Sequence, residues 1–310
     1  MKHGPKVLLK GLMWIGLLMP LVVYGAATLK RPARTRITNQ PLFEGILYSR
    51  RIQTQPRPLM IHILELDLTA PGLRPFVTPS FKEANLSVDP NPGKETLAQR
   101  TSTFLQEHQL QLAVNANFFF PFREETLWNY EPRQGTPVML GGLAISNGQV
   151  VSPPQLGQTA LCFLSQRAEI ASSGDCPEGT EQAVAGNTRL LNEGEPTKGF
   201  GAVVRRNNTD PPYPVNIAAL DASGSRLWLI LSDGKQPLYS EGIMLTEVVD
   251  LVQSLGADTA MRLDGGGSTT VAIATDTGPQ TLNAVIHGKV PGQERPVANH
   301  LGFFAAPLQP

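Results

Sequence analysis

The sequence predicts an α+β fold: a single β-rich domain, with a mixed or antiparallel sheet and two substantial helices. Three observations support it. The 310 residues include 29 Gly and 27 Pro, a composition that favours short strands joined by tight turns. Short apolar runs bounded by turn residues recur along the chain. Only two segments keep an apolar face at helical spacing.

The chain opens like an export signal. Lys2, Lys6 and Lys10 precede the apolar residues 11–27, which are broken by Pro20 and end in Gly25-Ala26-Ala27. Residues 1–27 read as a signal peptide cleaved after Ala27 or, if uncleaved, as an N-terminal anchor, since the apolar stretch is near the shortest length of a membrane span. Residues 28–58 form a polar lead-in with one candidate strand at 43–48. Residues 59–306 contain no clear linker and read as one domain.

Within that domain, residues 59–68 predict a strand, closed by the turn Thr69-Ala70-Pro71-Gly72. Residues 81–93 read as a loop. The first helix is predicted over 95–108, with Leu97, Ala98, Thr101, Phe104 and Leu105 on one face. It leads into a strand from Leu112 that runs out into a loop at Asn115-Ala116-Asn117. Asn147-Gly148 between apolar arms predicts a hairpin over 143–151. A second hairpin turns at Ala222-Ser223-Gly224-Ser225. Its second arm, Leu227-Trp228-Leu229-Ile230-Leu231, is apolar on both faces and so predicts a central strand. The second helix is predicted over 244–255, with Thr246 as N-cap and Gly256 just beyond the end. The strand 259–263 then delivers Asp264.

Lys+Arg and Asp+Glu are equal at 26 each, which gives no basic face for a nucleic acid. Cys162 and Cys176 read as one disulfide in an oxidising compartment. Neither lies beside a histidine or a basic residue, as a reactive thiol would. His3, His62, His108, His287 and His300 show no metal-ligand spacing. There is no Gly-Lys-Ser/Thr phosphate loop, no dinucleotide fingerprint and no Gly-x-Ser-x-Gly elbow. Asn85-Leu86-Ser87 and Asn207-Asn208-Thr209 are glycosylation sequons, relevant only in a cell that reads them.

The densest chemical signal is Asp264-Gly265-Gly266-Gly267-Ser268-Thr269-Thr270. Three glycines let a backbone pass close to a ligand and turn its N–H groups inward, and the carboxylate stands at the end of a strand. The same residues would also suit a plain turn. Asn115, Asn117 and Asp233 likewise follow apolar strands, where clefts gather polar groups, although each suits a turn or strand cap as well. Glu247 lies in the first turn of the second helix, where the helix dipole favours its ionised form.

These segments, in this order, resemble the phosphodiester glycosidase domain family, the bacterial relatives of the lysosomal enzyme that uncovers mannose 6-phosphate. Asn115-Ala116-Asn117-Phe118-Phe119, the strand ending in Asp233-Gly234, the stretch 242–249 containing Glu247, the 263–270 motif and Arg295-Pro296-Val297 carry the likeness. It spans about 59 to 304. One departure matters: the family's Pro-Arg-Thr-Ala before the Asp-Gly hairpin reads Pro214-Val215-Asn216-Ile217 here, without the arginine. Arg205-Arg206, Arg262 or Arg295 could supply the charge.

The resemblance implies an exported hydrolase, periplasmic or extracellular, that cleaves a sugar-1-phosphodiester at the anomeric carbon of an envelope or extracellular glycan. In that reading Asp264 and Glu247 form the carboxylate pair and Asp233 orients one of them. Gly265, Gly266, Gly267, Ser268 and Arg295 hold the phosphate, and Asn115 and Asn117 bind sugar hydroxyls. The expected partner is a glycan or sugar phosphate, with membrane contact only through an uncleaved N-terminus. No cofactor is expected, and a divalent cation is left open. The alternatives are a non-catalytic carbohydrate-binding envelope protein and a metal-dependent phosphodiesterase using Asp233, Asp264 and Glu247.

Overall fold

A computed structural model describes residues 22, 24–81, 93–126, 129–198 and 210–308. Most of the signal segment, most of the loop predicted at 81–93, both sequons and Arg205-Arg206 lie outside the described residues. The fold is α+β, and every strand pair among the described residues is antiparallel. The largest sheet has eight strands in the order Ile37–Phe43, Ile46–Gln53, Leu59–Asp67, Arg226–Ser232, Asn216–Leu220, Thr259–Arg262, Thr188–Asn192 and Glu195–Pro196. A five-stranded sheet runs Gly278–Thr281, Val271–Thr275, Leu112–Asn115, His300–Phe304 and Arg74–Val77. Another runs Gln149–Ser152, Ala144–Ser146, Gln182–Gly186, Thr159–Leu164 and Arg167–Ala171. Three short strands, Thr96–Leu97, Pro137–Gly141 and Phe118–Phe120, form a smaller sheet.

Alternation along the central strands explains the layering. In Arg226–Ser232, Leu227, Leu229 and Leu231 enter a core shared with both five-stranded sheets, including Leu112, Val114, Leu161, Phe163, Leu301 and Phe303. Trp228 and Ile230 point the other way, into a second core with Ile61, Ile63 and Ile217. Val248, Val249, Leu251 and Val252 of the helix Leu245–Ser254 close that second core. Both faces of this strand are therefore buried, as its unbroken apolar run predicts. The helix Thr101–Glu107 covers the outer face of the first five-stranded sheet through Phe104 and Leu105, against Ala113 and Ala272.

Several boundaries differ from expectation, each for a visible reason. The first helix starts at Thr101, not at residue 95, because the Glu95 N–H donates to the Val138 carbonyl and Thr96–Leu97 pairs with Pro137–Gly141. The second helix is capped at Met244 rather than Thr246: the Glu247 carboxylate accepts the Met244 N–H, and Asp210 accepts those of Leu245 and Thr246. The candidate strand at 43–48 contains a turn at Glu44-Gly45 that joins Ile37–Phe43 to Ile46–Gln53, so the large sheet begins within the lead-in. The Asn147-Gly148 hairpin forms as predicted, with φ of 49° and 74°. Cys162 and Cys176 are joined in a disulfide that pins the loop after Arg167–Ala171 to the second five-stranded sheet.

Candidate active site

The segment after Thr259–Arg262 leaves the large sheet, makes a 3-10 turn at Gly266–Ser268 and enters Val271–Thr275 of the first five-stranded sheet. Asp264 thus stands at the junction of two sheets. Buried amides fix the crossing. Asn115 donates from Nδ2 to the Asp264 carbonyl at 2.7 Å and accepts the Thr270 N–H at Oδ1 at 3.0 Å. Asn216 donates to the Asn115 carbonyl at 2.5 Å.

The glycines are required by close approach. A Cβ at Gly265 would lie 2.7 Å from the Pro214 carbonyl oxygen, and one at Gly266 2.6 Å from the Tyr213 hydroxyl. One at Gly267 would overlap the Arg295 guanidinium. The expected N–H cradle is largely spent within the protein. Gly266 N–H donates to the Pro214 carbonyl at 2.9 Å, and the Gly265 N–H acts to favour the ionised Asp264 carboxylate. The triple glycine serves packing around Arg295 more than direct phosphate binding.

Asp264 remains in partial contact with solvent but lies deep among protein atoms. Burial pushes its carboxyl up from the ordinary 3.8 to about 6, against the opposing pull of the Ser268 hydroxyl, the Arg295 charge, the Gly265 N–H and the Arg262 charge. Ser268 links it to Arg295, whose Nη1 donates to the Ser268 Oγ at 3.2 Å. Arg295 is almost fully buried and held on three further sides. Its Nη2 donates to Glu124 Oε2 at 2.5 Å, its Nε to His287 Nδ1 at 3.3 Å, and the Phe122 ring lies 4.7 Å from its Cζ. His287 Nδ1 also stands 3.6 Å from Glu124 Oε1, so this edge of the ring faces both the guanidinium and the carboxylate and leaves Nε2 on the other edge. That Nε2 is buried and has no partner. Contact with His287, the Arg295 charge and the Gly288 N–H together outweigh burial and hold the Glu124 carboxyl down at about 2.

Glu124, His287, Gly267 and Arg295 line an open cleft of about 1750 Å³ with Tyr130, Lys235 and Lys289. Glu124 and His287 were missed in the sequence. Glu124 carries no motif there, and His287 is only one of five histidines without metal-ligand spacing. The usable signals were His287-Gly288 eight residues before Arg295, and the acidic pair Glu124-Glu125 with three residues between it and the Phe118–Phe120 run.

The remaining predicted residues lie elsewhere. Asn117 is fully buried. It donates to the Leu143 carbonyl and accepts from the Ala185 N–H and from Asn299, so it ties loops together and does not face a sugar. Asn115 is also fully buried and acts on the Asp264 backbone. Asp233 ends a buried chain. Arg50 Nε donates to the Tyr48 hydroxyl at 3.0 Å, and that hydroxyl donates to His62 Nδ1 at 2.8 Å. His62 Nε2 then donates to Asp233 Oδ2 at 3.1 Å. The other carboxylate oxygen of Asp233 accepts the Ala284 N–H at 2.8 Å. Asp233 is thus spent on holding the segment that precedes His287. Glu247 is paired with Arg57 and caps its own helix, and no hydrogen bond or ion pair joins it to Asp264. Among the described residues no three His, Cys, Asp or Glu side chains converge as a metal site, so Asp233, Asp264 and Glu247 do not form one. His300 is fully buried and stacked on Phe104, and burial pushes its imidazole down to about 3. Arg262 lies near enough to Asp264 to act on its charge, and its buried Nε has no partner.

Arg295 and His287 on the cleft wall give it the donors for an anionic ligand, and the Ser268 hydroxyl joins Arg295 to the raised carboxyl of Asp264 behind that wall. The chain belongs to the phosphodiester glycosidase family, whose model matches residues 108–304. Its fold resembles that of the catalytic domain of zebrafish N-acetylglucosamine-1-phosphodiester alpha-N-acetylglucosaminidase, a structure described as auto-inhibited by its pro-peptide. The TM-score is 0.56 at 18% identity, over 89% of this chain and 87% of that one. A hypothetical protein from Synechocystis matches with a TM-score of 0.57 at 14% identity, over 84% of this chain; the match spans 62% of the Synechocystis chain. None of the curated proteins matches the sequence.

Proposed function

We propose that this protein is an exported hydrolase that cleaves a sugar-1-phosphodiester at the anomeric carbon, acting on an envelope or extracellular glycan, with Asp264 as its acid. The observation that carries the reading is the Asp264 carboxyl, pushed up to about 6 beside an arginine. Such a carboxyl holds a proton in mildly acidic medium and can still release it. The family's activity and the name of the zebrafish relative support the substrate class, and the disulfide supports an oxidising compartment.

In the reaction, water attacks C1 as the bond from C1 to the phosphate oxygen breaks, and Asp264 gives its proton to that oxygen. The water's surplus proton restores Asp264. Phosphate leaves readily, so holding its charge counts for more than the proton. Arg295, on the cleft wall, supplies a fork of donors for that charge. Glu124 reaches Asp264 only through Arg295 and Ser268, stays ionised with its carboxyl held down at about 2, and gives Arg295 its counter-charge.

The test is hydrolysis of a sugar-1-phosphodiester in oxygen-18 water, followed by phosphorus NMR and mass analysis of the sugar. The label should enter the sugar, and Asp264→Asn should lower the rate by about a hundredfold or more. Label in the phosphate would mean cleavage at phosphorus, the chemistry of a phosphodiesterase. Binding of the diester without cleavage would make the protein a carbohydrate-binding one.

A further inference from the structure

The partners of Glu124 are those of an anion site. Its Oε2 accepts from Arg295 Nη2 and its Oε1 accepts the Gly288 N–H at 2.7 Å, while His287 Nδ1 stands 3.6 Å away. Gly288 and Lys289 have φ of 58° and 64°, the left-handed pair of a tight hairpin turn. That turn aims the Gly288 N–H at the carboxylate and places the Lys289 ammonium on the cleft wall. Among the described residues, no carboxylate is ion-paired with Lys289, nor with Arg100 or Lys235 on the same cleft. A guanidinium fork beside a backbone donor fits phosphate oxygens as well as carboxylate oxygens.

The carboxylate that fills this site rests on a weak support. Glu124 belongs to a two-stranded ladder of only two pairs, Arg123 with Glu131 and Glu124 with Tyr130. The ion pair across the ladder, Arg123 with Glu131 at 3.0 Å, is solvent-exposed on both sides. Isolated ladders this short are marginal in water. Arg295, by contrast, is also held by Ser268, His287 and Phe122. If one member of the Arg295–Glu124 pair moves, it is Glu124.

We propose that Arg295 and the Gly288 N–H form the subsite for the substrate's phosphate, and that Glu124 occupies it as an internal anion that the phosphate displaces. This rests on the phosphodiester reading above and adds to it how the site is filled when empty of substrate. An internal competitor lowers apparent affinity by the fraction of molecules in which the subsite is open.

The probe is inorganic phosphate, titrated calorimetrically into the whole exported chain at neutral pH. Glu124→Gln should bind it about tenfold more tightly than the wild type, and Arg295→Gln more weakly than the wild type. Phosphate binding equal to or weaker than wild type in folded Glu124→Gln overturns the proposal. Should that variant not fold, hydrogen exchange on the wild type decides: the paired residues 123–124 and 130–131 should exchange faster in saturating phosphate, and unchanged exchange overturns the proposal. The two readings fail separately. Sugar release by the wild type with unaltered phosphate binding in Glu124→Gln overturns the subsite alone. Tighter phosphate binding in a protein that hydrolyses no diester overturns the enzyme alone.

Discussion

Replacing Asp264 by Asn should raise stability at alkaline pH while abolishing turnover. The folded protein holds the Asp264 proton up to about pH 6, whereas an unfolded aspartate releases it near 3.8. Between those values the folded state binds more protons than the unfolded state, so stability falls as pH rises, and above about 6 the full cost persists. A difference from 3.8 to about 6 corresponds to about 3 kcal/mol. An Asn at 264 resembles the protonated acid. It can still accept the Ser268 hydroxyl and the Gly265 N–H, and it escapes the cost of ionisation. Urea denaturation at pH 4 and pH 8 isolates the effect, because shape changes common to both pH values cancel in the difference. The variant should gain about 1–3 kcal/mol on the wild type between the two pH values. In parallel, wild-type kcat/KM should fall above about pH 6 as the acid is lost. A variant whose deficit or gain is the same at both pH values would show that Asp264 ionises normally, and would remove it as the acid.

Four other substitutions separate site from scaffold. Asp233→Ala strands the His62 Nε2–H and the Ala284 N–H in the core and should cost about 3 kcal/mol or more in urea unfolding; a cost below about 1 kcal/mol would mean the buried chain carries little. Glu247→Gln should lose about 1 kcal/mol of helix capping yet keep the rate of sugar release. A tenfold drop in kcat would return Glu247 to the chemistry. Gly267→Ala presses a methyl group on a guanidinium pinned by three partners and should lower kcat/KM by about 10- to 100-fold with little change in Tm, and unaltered kinetics would show that Arg295 has room to move. Replacing Cys162 and Cys176 together by Ser should cost about 3 kcal/mol for release of a short loop, with activity per folded molecule unchanged, and equal midpoints in urea would count against that role.

The sheet core was legible because its signals are local. The run at 227–231 can bury both faces only as a central strand, and Asn147-Gly148 can turn only a hairpin of its type. Asp264 was legible for the same reason, since a strand, a carboxylate and three glycines stand side by side. Helix starts were less so. Glu95 and Thr96 have helical spacing, but a distant strand at Pro137–Gly141 takes their backbone. Roles were hardest. Asn115, Asn117 and Asp233 sit at strand ends as expected, yet each side chain is consumed by backbone and side-chain partners far along the chain, which composition and spacing do not encode. Glu124 and His287 reach Arg295 only through tertiary folding, 171 and 8 residues away in sequence, from elements of two residues each.

The site is built from unequal halves, and the inequality has a chemical consequence. Asp264 and Ser268 stand on a crossing between two sheets, clamped by Asn115 and Asn216 inside the shared core. Their burial there keeps water thin around the carboxyl, and that desolvation raises its pKa. Any mutation that loosens the clamp should therefore lower that pKa before it unfolds the protein. Glu124 and Gly288 belong instead to two-residue hairpins at the edge of the cleft. A proton donor gains from a fixed, dry position, whereas an anion site must exchange its occupant once per turnover. The core holds the group whose protonation must be tuned, and the periphery holds the group that must give way.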